Sequence, residues 1–143
     1  MNISKFTQKS IQAVQELEKC AYDFGHQEIE EEHLLYILLN QDDSLILKMI
    51  EKMEIDTQYF KNSVEQLLAK RPKVSGGKPY IGQYLNKVLV EAESEAKAMG
   101  DEYVSVEHLF LSILSNPSPE MKNLFREFGI TRERFLKALS SVR

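Results

Sequence analysis

The sequence predicts an all-α domain of eight helices, arranged as two four-helix repeats related by an approximate two-fold axis. Apolar residues recur at helical spacing in eight segments, and cap and turn residues separate those segments. The order of features then recurs 75 residues further along the chain. The clearest copies are Gly25–Leu39 and Gly100–Leu114, which both open on glycine, share Glu-His-Leu and close on an apolar run.

Repeat 1, predicted over residues 1–70, contains four of the helices. Its second helix is apolar on nearly every side, so we expect it to be the buried helix of this half. Gly25 lies where a left-handed cap would end the first helix, and Asp56 is placed to cap the fourth. The four helices are predicted at about 4–24, 31–40, 45–53 and 57–70.

Residues 71–79 are predicted to be a linker, because two prolines and two glycines interrupt the helical pattern there. Repeat 2, over residues 80–143, restores the pattern of repeat 1 without a gap. Ser105 and Thr131 are expected to cap helices, and Gly100 to end one. The four helices are predicted at about 81–99, 106–115, 119–128 and 132 onward.

Length and charge limit the classes of function. The 143 residues are enough for a single domain with a proper core. A net charge of −4 provides no overall basic field for nucleic acid. No apolar run approaches the roughly 20 residues that span a bilayer, and the start shows no signal-peptide pattern. With Cys20 as the single cysteine, which is interpreted as a core or boundary residue, a cytoplasmic protein is expected.

Motifs typical of enzymes and metal sites are absent from the sequence. There is no P-loop pattern and no Cys/His cluster with zinc spacing. His33 and His108 are each interpreted as a partly buried histidine bonded to the backbone of a first helical turn, which leaves no metal ligand set. A stand-alone enzyme is therefore disfavoured, and no cofactor or metal is expected in this domain.

Glu32 and Glu107 occupy the first turn of the most buried helix of each half. One interpretation is structural, because free N–H groups and the helix dipole favour a carboxylate there. The other is functional: each carboxylate places a negative charge beside apolar surface, ready for a cationic or peptide ligand. The acidic run 28–32, which contains the first of these glutamates, is expected to be a solvated loop and helix start.

Six short stretches carry a resemblance to a known family. They are Phe6-Thr-Gln-Lys-Ser, Gly25-His-Gln-Glu-Ile, Arg71-Pro-Lys-Val-Ser-Gly-Gly, Leu85-Asn-Lys-Val-Leu, Gly100-Asp-Glu-Tyr-Val-Ser and Gly129-Ile-Thr-Arg-Glu-Arg-Phe-Leu. Together they resemble the amino-terminal domains of the Clp family of AAA+ chaperones, and within it those of the ClpB disaggregases. The resemblance covers essentially the whole chain.

The resemblance implies a mobile substrate-recognition module at the front of a homohexameric machine. Such a machine threads unfolded or aggregated polypeptide through its pore and works with the DnaK chaperone system. ATP and magnesium would bind in the AAA+ modules of the parent protein. The isolated domain is expected to be a monomer that contacts neither nucleic acid nor membrane.

By motif match, the resemblance also implies that Thr7, Asp101 and Glu107 bind substrate beside an apolar groove. Positions that are apolar in some relatives align here with Glu91 and Glu95, so the chain departs from the family pattern in that groove.

The alternative implied by the resemblance is a docking domain of a ClpC-type unfoldase, which would bind adaptors or phosphoarginine tags. In that case Glu32 would form a possible second site beside the one at Glu107. The two halves differ where the first has His26 and the second has Asp101. We therefore expect one functional groove and not two equivalent ones.

Overall fold

Residues 3–143 are described by the computed structural model, and within this range the chain is mostly helical. In the described residues, a short 3-10 helix at Ile3–Lys5 is followed by nine α-helices. These are α1 (Gln8–Gln15), α2 (Leu17–Phe24), α3 (Glu31–Leu39), α4 (Leu45–Lys52), α5 (Thr57–Lys70), α6 (Gln83–Ala98), α7 (Val106–Ser115), α8 (Pro119–Phe128) and α9 (Arg132–Ser140). The all-α prediction is confirmed. The described part of the chain has nine α-helices where eight are predicted, because the first predicted helix is divided.

The division falls at Glu16, between α1 and α2. Glu16 keeps helical dihedral angles (φ −85°, ψ −9°), and its N–H still bonds Gln12 O at 3.1 Å, so the interruption is local. Thr7 caps α1 through its side chain, which accepts a hydrogen bond from the backbone N–H of Ser10. Gly25 ends α2 in the left-handed conformation (φ 78°), as its position in the sequence predicts.

The core is apolar and centres on α3 and α7. Leu34, Leu38, Leu109 and Ile113 are all completely buried. Helices of the two halves also pack against each other: α4 contacts α7 and α9, and α5 contacts α8. The two halves therefore share one continuous core.

Two very short strands accompany the helices. β1 (Glu28–Ile29) pairs in parallel with β2 (Tyr80–Ile81), and an isolated parallel bridge joins Phe6 to Val104. The Ile29–Ile81 pair and the Phe6–Val104 pair correspond under the 75-residue offset, with the halves exchanged. Each half thus pairs the segment before its first helix with the loop that precedes the central helix of the other half.

Candidate functional site

The Glu-His-Leu motif places a buried histidine in the first turn of each central helix. His33 Nδ1 accepts a hydrogen bond from the Glu30 N–H at 2.9 Å, and His108 Nδ1 accepts one from the Ser105 N–H at 2.9 Å. Both rings are 0% exposed. Each histidine therefore satisfies a backbone donor at a helix start, as interpreted from the sequence, but both are completely buried and not partly buried as expected.

The other ring nitrogen distinguishes the two halves. His108 Nε2–H donates to the Asp101 carboxylate at 2.8 Å, because its Nδ1 already acts as an acceptor. In repeat 1, His33 Nε2 lies 2.8 Å from His26 Nδ1. Burial, followed by the nearby His26 and Arg71, lowers the pKa of His33 to about 3. Burial also lowers the pKa of His26, which occupies the position of Asp101 in the repeat. Repeat 1 therefore holds uncharged rings at neutral pH, whereas repeat 2 presents a carboxylate.

Asp101 and Glu107 are brought together by one guanidinium group. Arg143 Nη1 lies 2.8 Å from the Asp101 carboxylate and Nη2 lies 2.9 Å from the Glu107 carboxylate. Hydrogen bonds from Arg143 and then from His108 hold the pKa of Asp101 below its usual range, although partial burial opposes them. We call Asp101 and Glu107 the acidic notch. It accepts a cationic group in the structure itself.

Thr7 lies beside the loop that carries the acidic notch. Its N–H donates to Val104 O at 2.9 Å, and its hydroxyl is engaged with Ser10 in the cap of α1. Of the three residues that the resemblance implies for substrate binding, Thr7 and Asp101 are half-buried, and Glu107 is buried with 9% of its side chain exposed.

Glu32 has a similar arrangement in repeat 1. Arg71 Nη1 lies 3.1 Å from the Glu32 carboxylate, and Nη2 lies 3.0 Å from that of Glu28. The Glu32 side chain is only 2% exposed, and burial raises its pKa even though Arg71 opposes the shift. This position is therefore less accessible than the acidic notch.

The acidic run 28–32 is not solvated as expected, because Glu30, Glu31 and Glu32 are all buried. Glu30 accepts a hydrogen bond from the Leu85 N–H at 2.8 Å, and Glu31 accepts one from the Ser118 N–H at 2.8 Å. Free N–H groups at the starts of α6 and α8 need acceptors and favour negative charge. Glu30 and Glu31, at the start of α3, accept hydrogen bonds from these N–H groups of the other half. The sequence does not show this, because it gives no sign that those helix starts lie next to α3.

Of the two charged groove positions, Glu95 is buried and its charge is compensated. Arg132 binds its carboxylate at 2.6 and 3.0 Å, and the Ser115 hydroxyl donates to it at 2.7 Å. Burial alone would raise the pKa of Glu95, but these hydrogen bonds outweigh burial and lower it. Glu91 is half-buried.

The described residues contain neither a cluster of metal ligands nor a helix that could cross a membrane. Among residues 3–143, no three His, Cys, Asp or Glu side chains are grouped closely enough to hold a metal ion. In the same part of the chain, no helix combines the length and apolar character needed to cross a membrane.

Comparison with known proteins gives one consistent result. The family model of the Clp repeat (R) N-terminal domain matches residues 5–128. Chaperone protein ClpB of Nitratidesulfovibrio vulgaris is 42% identical over 100% of the chain, and that of Bacillus anthracis is 35% identical over 100% of the chain. The chain spans 17% of the length of each of these relatives.

Solved structures share the fold. The N-terminal domain of Hsp104 from Candida albicans superposes with a TM-score of 0.80 at 19% identity, covering 94% of this chain and 88% of that one. A ClpV N-domain in complex with a VipB peptide superposes with a TM-score of 0.75 at 23% identity, covering 96% of this chain and 86% of that one.

Proposed function

The chain belongs to the Clp repeat N-terminal domain family, and we propose that it is the substrate-recognition module of an ATP-dependent protein disaggregase. In this proposal the domain binds unfolded or aggregated polypeptide weakly and delivers it to an AAA+ homohexamer of the parent protein, in the cytoplasm and together with the DnaK system. The domain itself is neither an enzyme nor a cofactor-binding module. ATP and magnesium would be bound elsewhere in the parent.

The observation that carries the proposal is the acidic notch with a guanidinium group already in it. Unfolded polypeptide exposes Lys and Arg side chains next to apolar ones. Asp101 and Glu107 provide carboxylates for the cation, and Tyr103 in the same loop is 51% exposed and offers apolar contact. The VipB peptide bound by a ClpV N-domain of the same fold supports a peptide as ligand.

Arg143 has to leave the notch before a client cation can enter, so binding is a competition. The Asp101–Arg143 pair is partly exposed, with side-chain exposures of 28% and 37%, whereas Glu107 is 9% exposed. Exchange of one such cation for another gives little net free energy, on the order of 1 kcal/mol or less. Weak binding follows, which suits a module that must release its client to the hexamer.

The test is a titration of the isotope-labelled domain with a permanently unfolded client while backbone amide shifts are recorded. We expect shifts at Thr7, Asp101 and Glu107, and we expect the double variant D101N/E107Q to lose them. Glu127→Gln, on the exposed side of α8, is the matched control. The proposal fails if these three amides do not move at millimolar client, or if the double variant binds as well as the wild type.

A second candidate is docking of an adaptor or of a phosphoarginine tag, as in a ClpC-type unfoldase. It is favoured by the fact that Glu32 and Glu107 each hold an arginine. Titrations with free phosphoarginine and with free arginine would distinguish docking of the tag from binding of unfolded client. Shifts at both glutamates with phosphoarginine alone would support docking of the tag, whereas a response to unfolded client alone would exclude it.

A further inference from the structure

Within residues 3–143, the two halves differ at a cluster that is absent from repeat 1 and found in repeat 2. There Arg132, the first residue of α9, binds Glu95 on α6 and also donates from Nη1 to the Ser115 hydroxyl at 2.8 Å. The residues 75 positions earlier are Cys20, Asn40 and Thr57. The last of these is likewise the first residue of its helix, α5. Repeat 1 therefore lacks both the carboxylate and the guanidinium group of this cluster.

Repeat 1 has an open cleft at the corresponding place. It has a volume of about 460 Å³ and lies between α2 and α3. Its lining includes Glu16, Lys19, Cys20, Asp23, Phe24, Tyr36 and Asn40. Since two of these are the counterparts of Glu95 and Ser115, the cleft occupies the place that the Arg132 side chain fills in repeat 2.

The apolar part of the cleft suits the flat face of a guanidinium group. Phe24 and Tyr36 meet edge to face with ring centroids 5.2 Å apart, and aromatic faces attract guanidinium groups. Burial raises the pKa of the Cys20 thiol to about 11, so that side chain is uncharged at neutral pH and offers only polarizable surface.

The polar rim has the matching charge. Lys19 pairs with Asp23 at 2.6 Å, which leaves Glu16 as a rim carboxylate for which no ion pair is found in the described range 3–143. Asn40 donates its amide N–H to Tyr36 O at 2.8 Å, and its amide oxygen remains an acceptor. The rim is therefore net negative and holds an acceptor at the position where repeat 2 has the Ser115 hydroxyl.

From the filled cluster in repeat 2 and the open, acidic, aromatic cleft in repeat 1, we propose that the cleft binds an arginine side chain of a polypeptide partner. In repeat 2, the side chain of Arg132 occupies the corresponding place. It indicates where the ligand would lie in the cleft and that the ligand would be an arginine side chain. The site is separate from the acidic notch, so it stands whether or not the notch binds client.

The probe is the capped tripeptide acetyl-Gly-Arg-Gly-amide, added to the labelled domain while amide shifts are followed. The capped tripeptide with citrulline in place of arginine is nearly isosteric but uncharged. We expect the arginine peptide to move the amides of Cys20, Tyr36 and Asn40 with a dissociation constant on the order of millimolar. We expect the citrulline peptide to move them much less.

Two variants test the assignment. Glu16→Gln should weaken binding roughly two- to fivefold, as expected for loss of one exposed ion pair. Glu18→Gln, also exposed but outside the cleft lining, should leave binding unchanged. The double variant C20E/T57R rebuilds the pair found in repeat 2 and should abolish the shifts, with an otherwise native amide spectrum.

Three results would overturn the proposal. One is the absence of shifts at the cleft at about 20 mM arginine peptide. Another is an equal response to citrulline, and the third is unchanged binding by E16Q. Shifts confined to Asp101 and Glu107 would support the acidic notch and refute the cleft, so the two proposals fail independently.

Discussion

Replacing Glu31 with glutamine should stabilise the domain at alkaline pH and leave its stability at acidic pH nearly unchanged. Glu31 is completely buried, and its Oε1 accepts the Ser118 N–H at 2.8 Å. A glutamine amide keeps that acceptor but cannot ionise. Oε2 of Glu31 is buried and has no hydrogen-bond partner among the described residues, so the protonated carboxyl and the glutamine amide both leave a donor unpaired there. The variant therefore differs from the wild type chiefly in avoiding the cost of a buried negative charge at alkaline pH.

The magnitude follows from the shift in pKa. Burial, with smaller contributions from the charges of Glu30 and Glu32, raises the pKa of Glu31 from 4.5 to about 7, while the hydrogen bonds from Ser118 oppose it. At ~1.4 kcal/mol per pKa unit, full ionisation costs about 3 kcal/mol, as an order of magnitude. The pKa of Glu31 is higher in the folded state than in the unfolded state. The wild type therefore keeps its full stability below about pH 4.5 and loses this amount as the pH rises through 7.

Other carboxylates with shifted pKa values do not produce the same pH-dependent difference in stability between the variant and the wild type. The pKa values of Glu95 and Asp101 are lowered by their arginine partners, so their contribution is lost only when the pH falls through their folded-state pKa values. Glu30 and Glu32 shift in the same direction as Glu31, but they are identical in wild type and variant. The difference between the two proteins therefore reports the ionisation of Glu31 together with its smaller charge coupling to Glu30 and Glu32.

The assay is urea unfolding of wild type and E31Q at about pH 5 and about pH 8. We expect similar free energies of unfolding at the lower pH and an advantage of about 3 kcal/mol for the variant at the higher pH. Glu127→Gln, at an exposed position, should change neither. An advantage that differs by less than about 1 kcal/mol between the two pH values would refute the reasoning.

Three further outcomes are expected. Leu38→Ala and Ile113→Ala should each cost about 2–5 kcal/mol in denaturant melts, since both side chains are completely buried; losses below about 1 kcal/mol for both would contradict the symmetric core. Arg143→Gln should tighten binding of a basic unfolded client roughly two- to fivefold by emptying the acidic notch, and weaker binding in the same titration would argue against competition. Gly82→Ala should reduce the free energy of unfolding by about 1–3 kcal/mol, because the new Cβ would lie 2.6 Å from Glu30 Cδ and the Leu85 N–H of α6 holds the Glu30 carboxylate in place. Thermal unfolding measures the loss, and an unchanged midpoint would show that Glu30 moves aside without loss.

The helices were the part of the fold that the sequence could predict. Helical periodicity and helix caps depend on residues that are close together in the sequence. The structure places the caps at Thr131 and Gly25 as predicted. The strands were missed because β1 and β2 have two residues each. That is too short for an alternating pattern to be read. Their partners are also far apart in the chain.

The site was only partly predictable for a similar reason. A glutamate at the start of a buried helix indicates that a carboxylate is favoured there, but it does not show which group faces it. That Glu107 meets Arg143, and that Glu31 accepts a hydrogen bond from Ser118, depends on how the two halves pack. His26 and Asp101 occupy one position of the repeat, and their partners do differ between the halves. That this difference leaves one functional groove stays a prediction.

The exchanged pairings of Phe6 with Val104 and of Ile29 with Ile81 have a consequence for cooperativity. Neither half can complete the segment before its first helix without the loop of the other half. Loop closure over such long separations adds entropy cost before these contacts form. The duplicated units are therefore expected to unfold together in a single transition, in contrast to tandem repeats that melt from one end.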